Sequence, residues 1–404
     1  MREEQISEVM ERYVQNEEIA GASLLVQQHG QVVYQNCWGY ADKAGKTPIR
    51  ENSIFRMMSM TKCVTAVGVL QLMEAGKLNL DDPLSLFIPS FAEPRVTDDA
   101  RYRWHDGVKM GELLQKALFF RMERVKTVPA EREITIRDLL SHSSGLEQGM
   151  VGLLAMLKDR RKRVDLAAQA ERYAQYPLDF QPGCGTGYSP LAGFDVLARV
   201  IEVVSDMDAA QYYKANIFQP LGMRDTAFHL NEEQKKRLVH VYCRKNGKLA
   251  DVTGSKEDLP RKFRLGERYI FGAGGLYSTL TDYGAFAQML QNGGSYRGTQ
   301  ILKPETVQLM RTEAPVNHLE PEPGFVWGLG VKIRQDPVRG GSVATKGTYG
   351  WSGAFGTHFF VSPADDLNCV LMLNRSDLDG AGSYISKKVE ELVFGTFAGK
   401  GEAL

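Results

Sequence analysis

The distribution of apolar positions changes character along the chain. Near the start, Ile6, Val9, Met10 and Tyr13 recur at i, i+3, i+4 and i+7, which predicts a helix packed by one face. Two apolar-rich runs follow, Ala22 to Gln28 and Gln31 to Cys37, joined at His29-Gly30. A turn dipeptide between two such runs predicts an antiparallel hairpin, and Gly39 to Thr47 reads as a polar loop after it. From Lys62 to Glu74 the pattern changes: Cys63, Val64, Ala66, Val67, Val69, Leu70, Leu72 and Met73 cover nearly every side of a helix. Such a helix has no face left for water, so it belongs at the centre of the fold, with Gly76 as its stop.

The middle third carries helix-period patterns over Gly111 to Val125, Ile136 to Ser141, Leu153 to Lys158, Val164 to Ala174 and Leu191 to Val204, separated by Pro and Gly loops. Beyond about residue 265 strands return at Phe325 to Ile333, Thr357 to Val361 and Asn368 to Leu373, among helices at Thr281 to Leu290, Pro304 to Met310 and Ser383 to Phe394. Strands at both ends of the chain and helices between them predict an α/β architecture of more than one domain. Residues 1–56 and 266–404 would form a discontinuous domain around one antiparallel sheet flanked by helices. Residues 57–265 would form an inserted, mostly helical domain, with the active site at the interface.

Composition narrows the possible functions. The 404 residues are 43% hydrophobic and 24% charged, the balance of an ordinary globular chain. Lys plus Arg and Asp plus Glu each total 49, so no global field draws in nucleic acid or an anionic membrane. The five cysteines form neither a disulfide framework nor a Cys-x-x-Cys pair, and the N-terminus shows no apolar signal core. A cytoplasmic location is therefore expected. No apolar run reaches the ~18 residues that suggest a membrane span.

The candidate nucleophile is Ser59 in Ser59-Met60-Thr61-Lys62, at the start of the buried helix. Positions i and i+3 share a helix face, so the Lys62 amine can reach the Ser59 hydroxyl and serve as its base. A Ser-x-x-Lys tetrapeptide arises about once by chance in a chain of this size. The setting of this one is less ordinary, because an unpaired ammonium inside a helix that is apolar all round would be costly.

Longer segments extend the signal. Ile54 to Lys62, Gly76 to Pro83, Ile134 to Leu146, Phe218 to Met223 and Gly272 to Thr279 occur in an order that resembles the serine β-lactamase and penicillin-binding protein superfamily, especially its class C-like (family VIII) esterase branch. The resemblance spans most of the chain. It implies a β-lactamase/transpeptidase-like fold, catalysis through a Ser59 acyl-enzyme, and no cofactor or metal. It further implies that Tyr188, after Gly183, Gly185 and Gly187, is the general base or proton shuttle of a Tyr-x-Asn element. Here Pro190 stands where the family commonly has Asn. The Lys-Thr-Gly-like element is best matched by Trp351-Ser352-Gly353, which would contact substrate with an indole in place of the cation. An indole offers an apolar face and one donor, better suited to an acyl chain or neutral ester than to a carboxylate. Lys346 and His358 are the nearby groups able to compensate in part. The oxyanion hole would be the backbone N–H groups of Ser59 and Ala354.

Other signals add little. Gly45-Lys46-Thr47 lacks the earlier glycine of a phosphate loop, Lys158 to Arg163 reads as a solvated basic helix end, and His142 reads as structural. The seven histidines show no metal-ligand spacing, and no Gly-x-Ser-x-Gly elbow occurs. Arg95 to Pro129 is long for this family; with Tyr102, Trp104, Leu113, Leu114, Leu118, Phe119 and Phe120 it suits either a wall over an acyl pocket or plain packing. The expected activity is that of a carboxylesterase for small to medium acyl esters, its partner a small-molecule ester or acyl substrate. An acyltransferase using the same acyl-enzyme and a β-lactamase or D-amino-acid peptidase are the enzymatic alternatives. A ligand-binding or assembly protein that keeps the fold is the non-enzymatic one. Oligomeric state is not readable from the sequence.

Overall fold

The N-terminal hairpin and the C-terminal strands meet edge to edge in the computed structural model, which describes residues 2–102, 110–315, 322–378, 380 and 382–398. In chain order the strands of this sheet are β1 (Gly21–Gln28), β2 (Gln31–Asp42), β3 (Thr47–Pro48), β4 (Phe325–Trp327), β5 (Lys332–Arg334), β6 (Tyr349–Ser352), β7 (His358–Ser362) and β8 (Leu367–Leu373). They form one antiparallel sheet in the order β4-β5-β6-β7-β8-β1-β2-β3. The seam between the chain ends is β1 against β8, with Ala22 opposite Leu373 and Gln28 opposite Leu367.

Both faces are buried along the central strands β1, β7 and β8, which is why these read as nearly continuous apolar runs. Along β1 and β8 the alternation is strict: Leu24, Cys369 and Leu371 face an outer layer, while Leu25, Val370 and Met372 face the inner one. The outer layer is α1 (Arg2–Gln15) with a C-terminal helix, Tyr384–Phe397, laid beside it. On the inner face Leu280–Gln291 packs on β8, β1 and β7. Beyond it lies α2 (Thr61–Glu74), packed against α3 (Ala192–Ser205). Gly68 allows the close approach at that contact, since a Cβ there would sit 3.0 Å from Ile201 Cδ1. The inner apolar cluster runs without a break from the sheet through α2 and α3.

Several expectations need correction. The stretch Gly39 to Thr47 is not simply a loop: β2 continues through Asp42 and is joined by β3. Phe325 to Ile333 is not one strand but two, β4 and β5, turned at Gly330. That glycine has φ +77°, and a Cβ on it would meet Ala66 of α2 at 2.5 Å, so chirality and the helix behind it both demand glycine. The helix expected over Gly111 to Val125 runs Met110–Phe119. Trp104 lies outside the described residues, as do the side chains of Leu113 and Leu114. Of the remaining apolar residues in that insertion, Phe120 is buried and stacks edge-on with Tyr102, while Leu118 and Phe119 are exposed. Arg163 is no solvated helix end; it is buried and donates to Phe263 O. Among the described residues no helix is long and apolar enough to cross a membrane.

Candidate active site

Ser59 sits in a single turn of 3-10 helix that leads into α2. The residue before it, Met58, is buried and has φ +49°. A side chain in the left-handed region costs roughly 1–3 kcal/mol and persists only where the surroundings over-determine it. Here they do. Met57 N–H donates to Leu276 O at 2.9 Å, and Thr357 Oγ1 donates to Met57 O at 3.0 Å.

Lys62 is 1% exposed and, as an ammonium, has three donors to satisfy. They go to Pro190 O and Ala273 O, both at 2.8 Å, and to Ser59 Oγ at 3.3 Å. Tyr188 Oη lies 2.7 Å from Ser59 Oγ, and Nζ of Lys62 lies 5.0 Å from the Tyr188 ring centroid. The structure thus brings Ser59, Lys62 and Tyr188 together as the sequence places them. Pro190, which lacks the amide expected at its position, contributes its carbonyl instead.

The Tyr188 loop is fixed by the segment Ile134 to Leu146. Gly187 N–H donates to His142 O at 3.2 Å, and Ser189 N–H to His142 Nδ1 at 3.1 Å. Burial holds the His142 imidazole well below its usual range, so it stays neutral and keeps Nδ1 as an acceptor. His142 is structural, but it is also part of the site wall: its ring lies 5.0 Å from Tyr188 and 4.3 Å from Trp327. Trp327 stacks on Tyr188 at 6.2 Å and meets Trp351 edge-on at 4.9 Å, while Trp351 reaches Tyr188 at 5.1 Å. Trp327 was not foreseen. Its only signal was an aromatic in an apolar run.

Of the third element, Trp351 faces Tyr188. Ser352 Oγ is bonded to His358 Nδ1 at 2.7 Å, and His358 Nε2 lies 2.8 Å from Glu390 Oε1. Arg334 pairs with the same carboxylate. His358 is therefore engaged in a buried polar chain behind β6, and Lys346 is exposed. The cation that does approach is Lys332 of β5, with Nζ 6.0 Å from the Trp351 ring and 4.1 Å from Phe325. Together with Ser352, His358 and Glu390 it lines a cavity of ≈ 240 Å³. Gly353 N–H closes the β6–β7 turn on Thr357 O at 2.7 Å. Among the described residues the Ala354 N–H takes no backbone carbonyl as acceptor. Elsewhere, residues without metal-ligand spacing converge: Asp42, His240 and Asp251 present ligand atoms within 4.8 Å of one another.

A family model described as Beta-lactamase matches residues 6–391. The chain belongs to the beta-lactamase family. Its fold is accordingly β-lactamase/transpeptidase-like, as the order of its segments implied. This family member is 27% identical to Esterase EstB of Burkholderia gladioli, covering 96% of this chain and 93% of that one. Among solved structures it is similar to "EstCE1, a hydrolase with promiscuous acyltransferase activity", with TM-score 0.78, 26% identity and 98% coverage of both chains. It also shares its fold with simvastatin synthase LovD from Aspergillus terreus, at TM-score 0.77 and 20% identity over 99% of each chain.

Proposed function

We propose that this beta-lactamase-family hydrolase is a carboxylesterase acting on small to medium acyl esters through a Ser59 acyl-enzyme. The observation that carries the reading is the convergence on Ser59 Oγ of Tyr188 Oη at 2.7 Å and Lys62 Nζ at 3.3 Å. Ser59 Oγ attacks the ester carbonyl, and its proton passes to Tyr188 Oη, which acts in the reactive form as a phenolate held beside the Lys62 ammonium. The N–H groups of Ser59 and Ala354 receive the oxyanion. The pair then returns the proton to the departing alcohol, and a water activated by the same pair releases the acid. Trp351, where penicillin-handling relatives carry a cation, supports a neutral ester over a β-lactam or peptide carboxylate. The likeness to EstB and EstCE1 supports the same choice. The five free cysteines suit a reducing compartment, in keeping with a cytoplasmic enzyme.

Acyl transfer is the second reading, favoured by the acyltransferase activity in the EstCE1 description. An alcohol or amine would then take the acyl group in place of water. The test is turnover of p-nitrophenyl esters from acetate to octanoate by wild type and Ser59→Ala, with a chromogenic cephalosporin alongside. Ester turnover that vanishes in Ser59→Ala, with little cephalosporin turnover, is expected. Labelling by a fluorophosphonate no greater than in Ser59→Ala would instead favour a binding protein.

A further inference from the structure

Lys62 is a buried ammonium whose three donors end on two carbonyls and a hydroxyl. A buried carboxylate lies one peptide group further out. The peptide joining Pro190 to Leu191 turns its C=O toward Lys62 Nζ at 2.8 Å and its N–H toward Glu147 Oε2 at 2.9 Å. The same carboxylate oxygen takes the next N–H, of Ala192, at 2.6 Å, at the start of α3. One peptide unit is thus clamped between an ammonium and a carboxylate, each strengthening the other's hydrogen bond by polarising the amide between them.

The second carbonyl is held through the neighbouring peptide. Ala273 O accepts from Lys62, while Ala273 N–H donates to Asp195 Oδ1 at 3.1 Å. Asp195 Oδ2 in turn accepts from Tyr269 at 2.5 Å and Tyr173 at 3.4 Å. Glu147 is 3% exposed and Asp195 1% exposed. Two carboxylates so deeply buried are expensive unless they compensate a positive charge. The guanidinium of Arg163 faces both, and Lys62 faces Asp195.

We propose that Glu147 and Asp195 are positioning residues for the Ser59 chemistry, fixing the two carbonyls that hold Lys62 against the nucleophile. Glu147 has the larger share because it grips the very peptide whose oxygen Lys62 contacts. The inference rests on the Ser59 acyl-enzyme reading and adds to it residues that never touch substrate. It also predicts a pH signature. Burial pushes Glu147 up to about 7 and Asp195 up to about 6. The groups facing Glu147 are Arg163, Asp195, Tyr173 and Tyr176, and those facing Asp195 are Tyr269, Tyr173, Tyr213, Arg163, Lys62 and Glu147. As pH falls through about 7, Glu147 gains a proton, its grip on the two N–H groups weakens, and the Pro190 carbonyl loosens.

The experiment measures fluorophosphonate labelling of Ser59 and p-nitrophenyl ester kcat/KM between pH 5 and 9 in wild type, Glu147→Gln and Asp195→Asn. Each variant keeps shape and one acceptor oxygen but loses the charge. Glu147→Gln should label about tenfold more slowly at pH 8 with KM unchanged, and should lose the inflection near pH 7. Asp195→Asn should label about threefold more slowly and keep that inflection. Asp195→Asn also carries the test should Glu147→Gln not fold. Variant profiles that superimpose on wild type, in rate and in pH dependence, overturn the inference alone. A wild type that no fluorophosphonate labels overturns the acyl-enzyme reading and this inference with it.

Discussion

Gly353→Ala is the sharpest test of how the oxyanion hole is assembled. A Cβ on Gly353 would lie 2.2 Å from Thr357 Oγ1 and 2.3 Å from Met57 O. Neither neighbour can swing away cheaply. One is backbone, and the other is bonded to it at 3.0 Å. Met57 O would have to recede from 2.3 Å to between 3.0 and 3.4 Å, a parting of about 0.7–1.1 Å between the β6–β7 turn and the chain leading into Ser59. That is the gap across which the proposed oxyanion donors, the Ser59 and Ala354 N–H groups, would meet one oxygen. Misplacement by about 1 Å costs on the order of 10²-fold in rate, and loss of one oxyanion donor costs ~10²–10³, about 2.7–4 kcal/mol of barrier. Overpacking of this kind costs about 1–3 kcal/mol in stability. We therefore expect kcat for p-nitrophenyl esters to fall about 10²-fold with KM little changed, in a protein that still melts cooperatively. A folded Gly353→Ala protein whose kcat stays within about threefold of wild type would refute the placement of the hole.

Three further outcomes follow from the same geometry. Tyr188→Phe removes the oxygen 2.7 Å from Ser59 but keeps the ring against Trp327 and Trp351, so kcat should drop about 10²–10⁴-fold while the melting temperature barely moves. Although burial raises the Glu390 carboxyl, Arg334 and His358 hold it down to about 2. A depressed carboxyl stabilises the fold above its unfolded value of 4.5 and loses that contribution as pH falls from 4.5 toward 2. Denaturant titrations should show that slope in wild type and not in Glu390→Gln, which should also be about 3–5 kcal/mol less stable at pH 7 because Arg334 is left unpaired. Gly68→Val forces side-chain carbons toward Ile201 and Tyr213, 3.0 and 3.2 Å from the first added atom, and should cost about 1–3 kcal/mol by equilibrium unfolding.

The legible parts of the fold were those with a short repeat. The apolar runs of β1 and β8 and the all-round apolar surface of α2 each follow from residues within a few positions of one another. The division of Phe325 to Ile333 into two strands was missed although Gly328 and Gly330 interrupt the run. Only the presence of Ala66 and Leu140 behind Gly330 shows why the chain must turn there. Arg163 was misread for a related reason: in a basic run every member looks solvated. What buries this one is the return of the chain at Arg264 and Gly266, bonded to the Arg163 backbone.

The sequence by itself determined the local half of the site. Ser59 and Lys62 are three residues apart on a helix, and no tertiary arrangement that keeps the helix can separate them. Tertiary structure decided the rest. Tyr188 reaches Ser59 across 129 residues, the Lys62 cradle draws on Pro190 and Ala273, and the aromatic wall comes from strands at the far end of the chain. Periodicity specifies which residues share a face within a turn or two. It carries no information on which distant carbonyl, carboxylate or ring a buried charge will find. That is settled only when packing removes water and leaves each polar group the partners the fold has placed within reach.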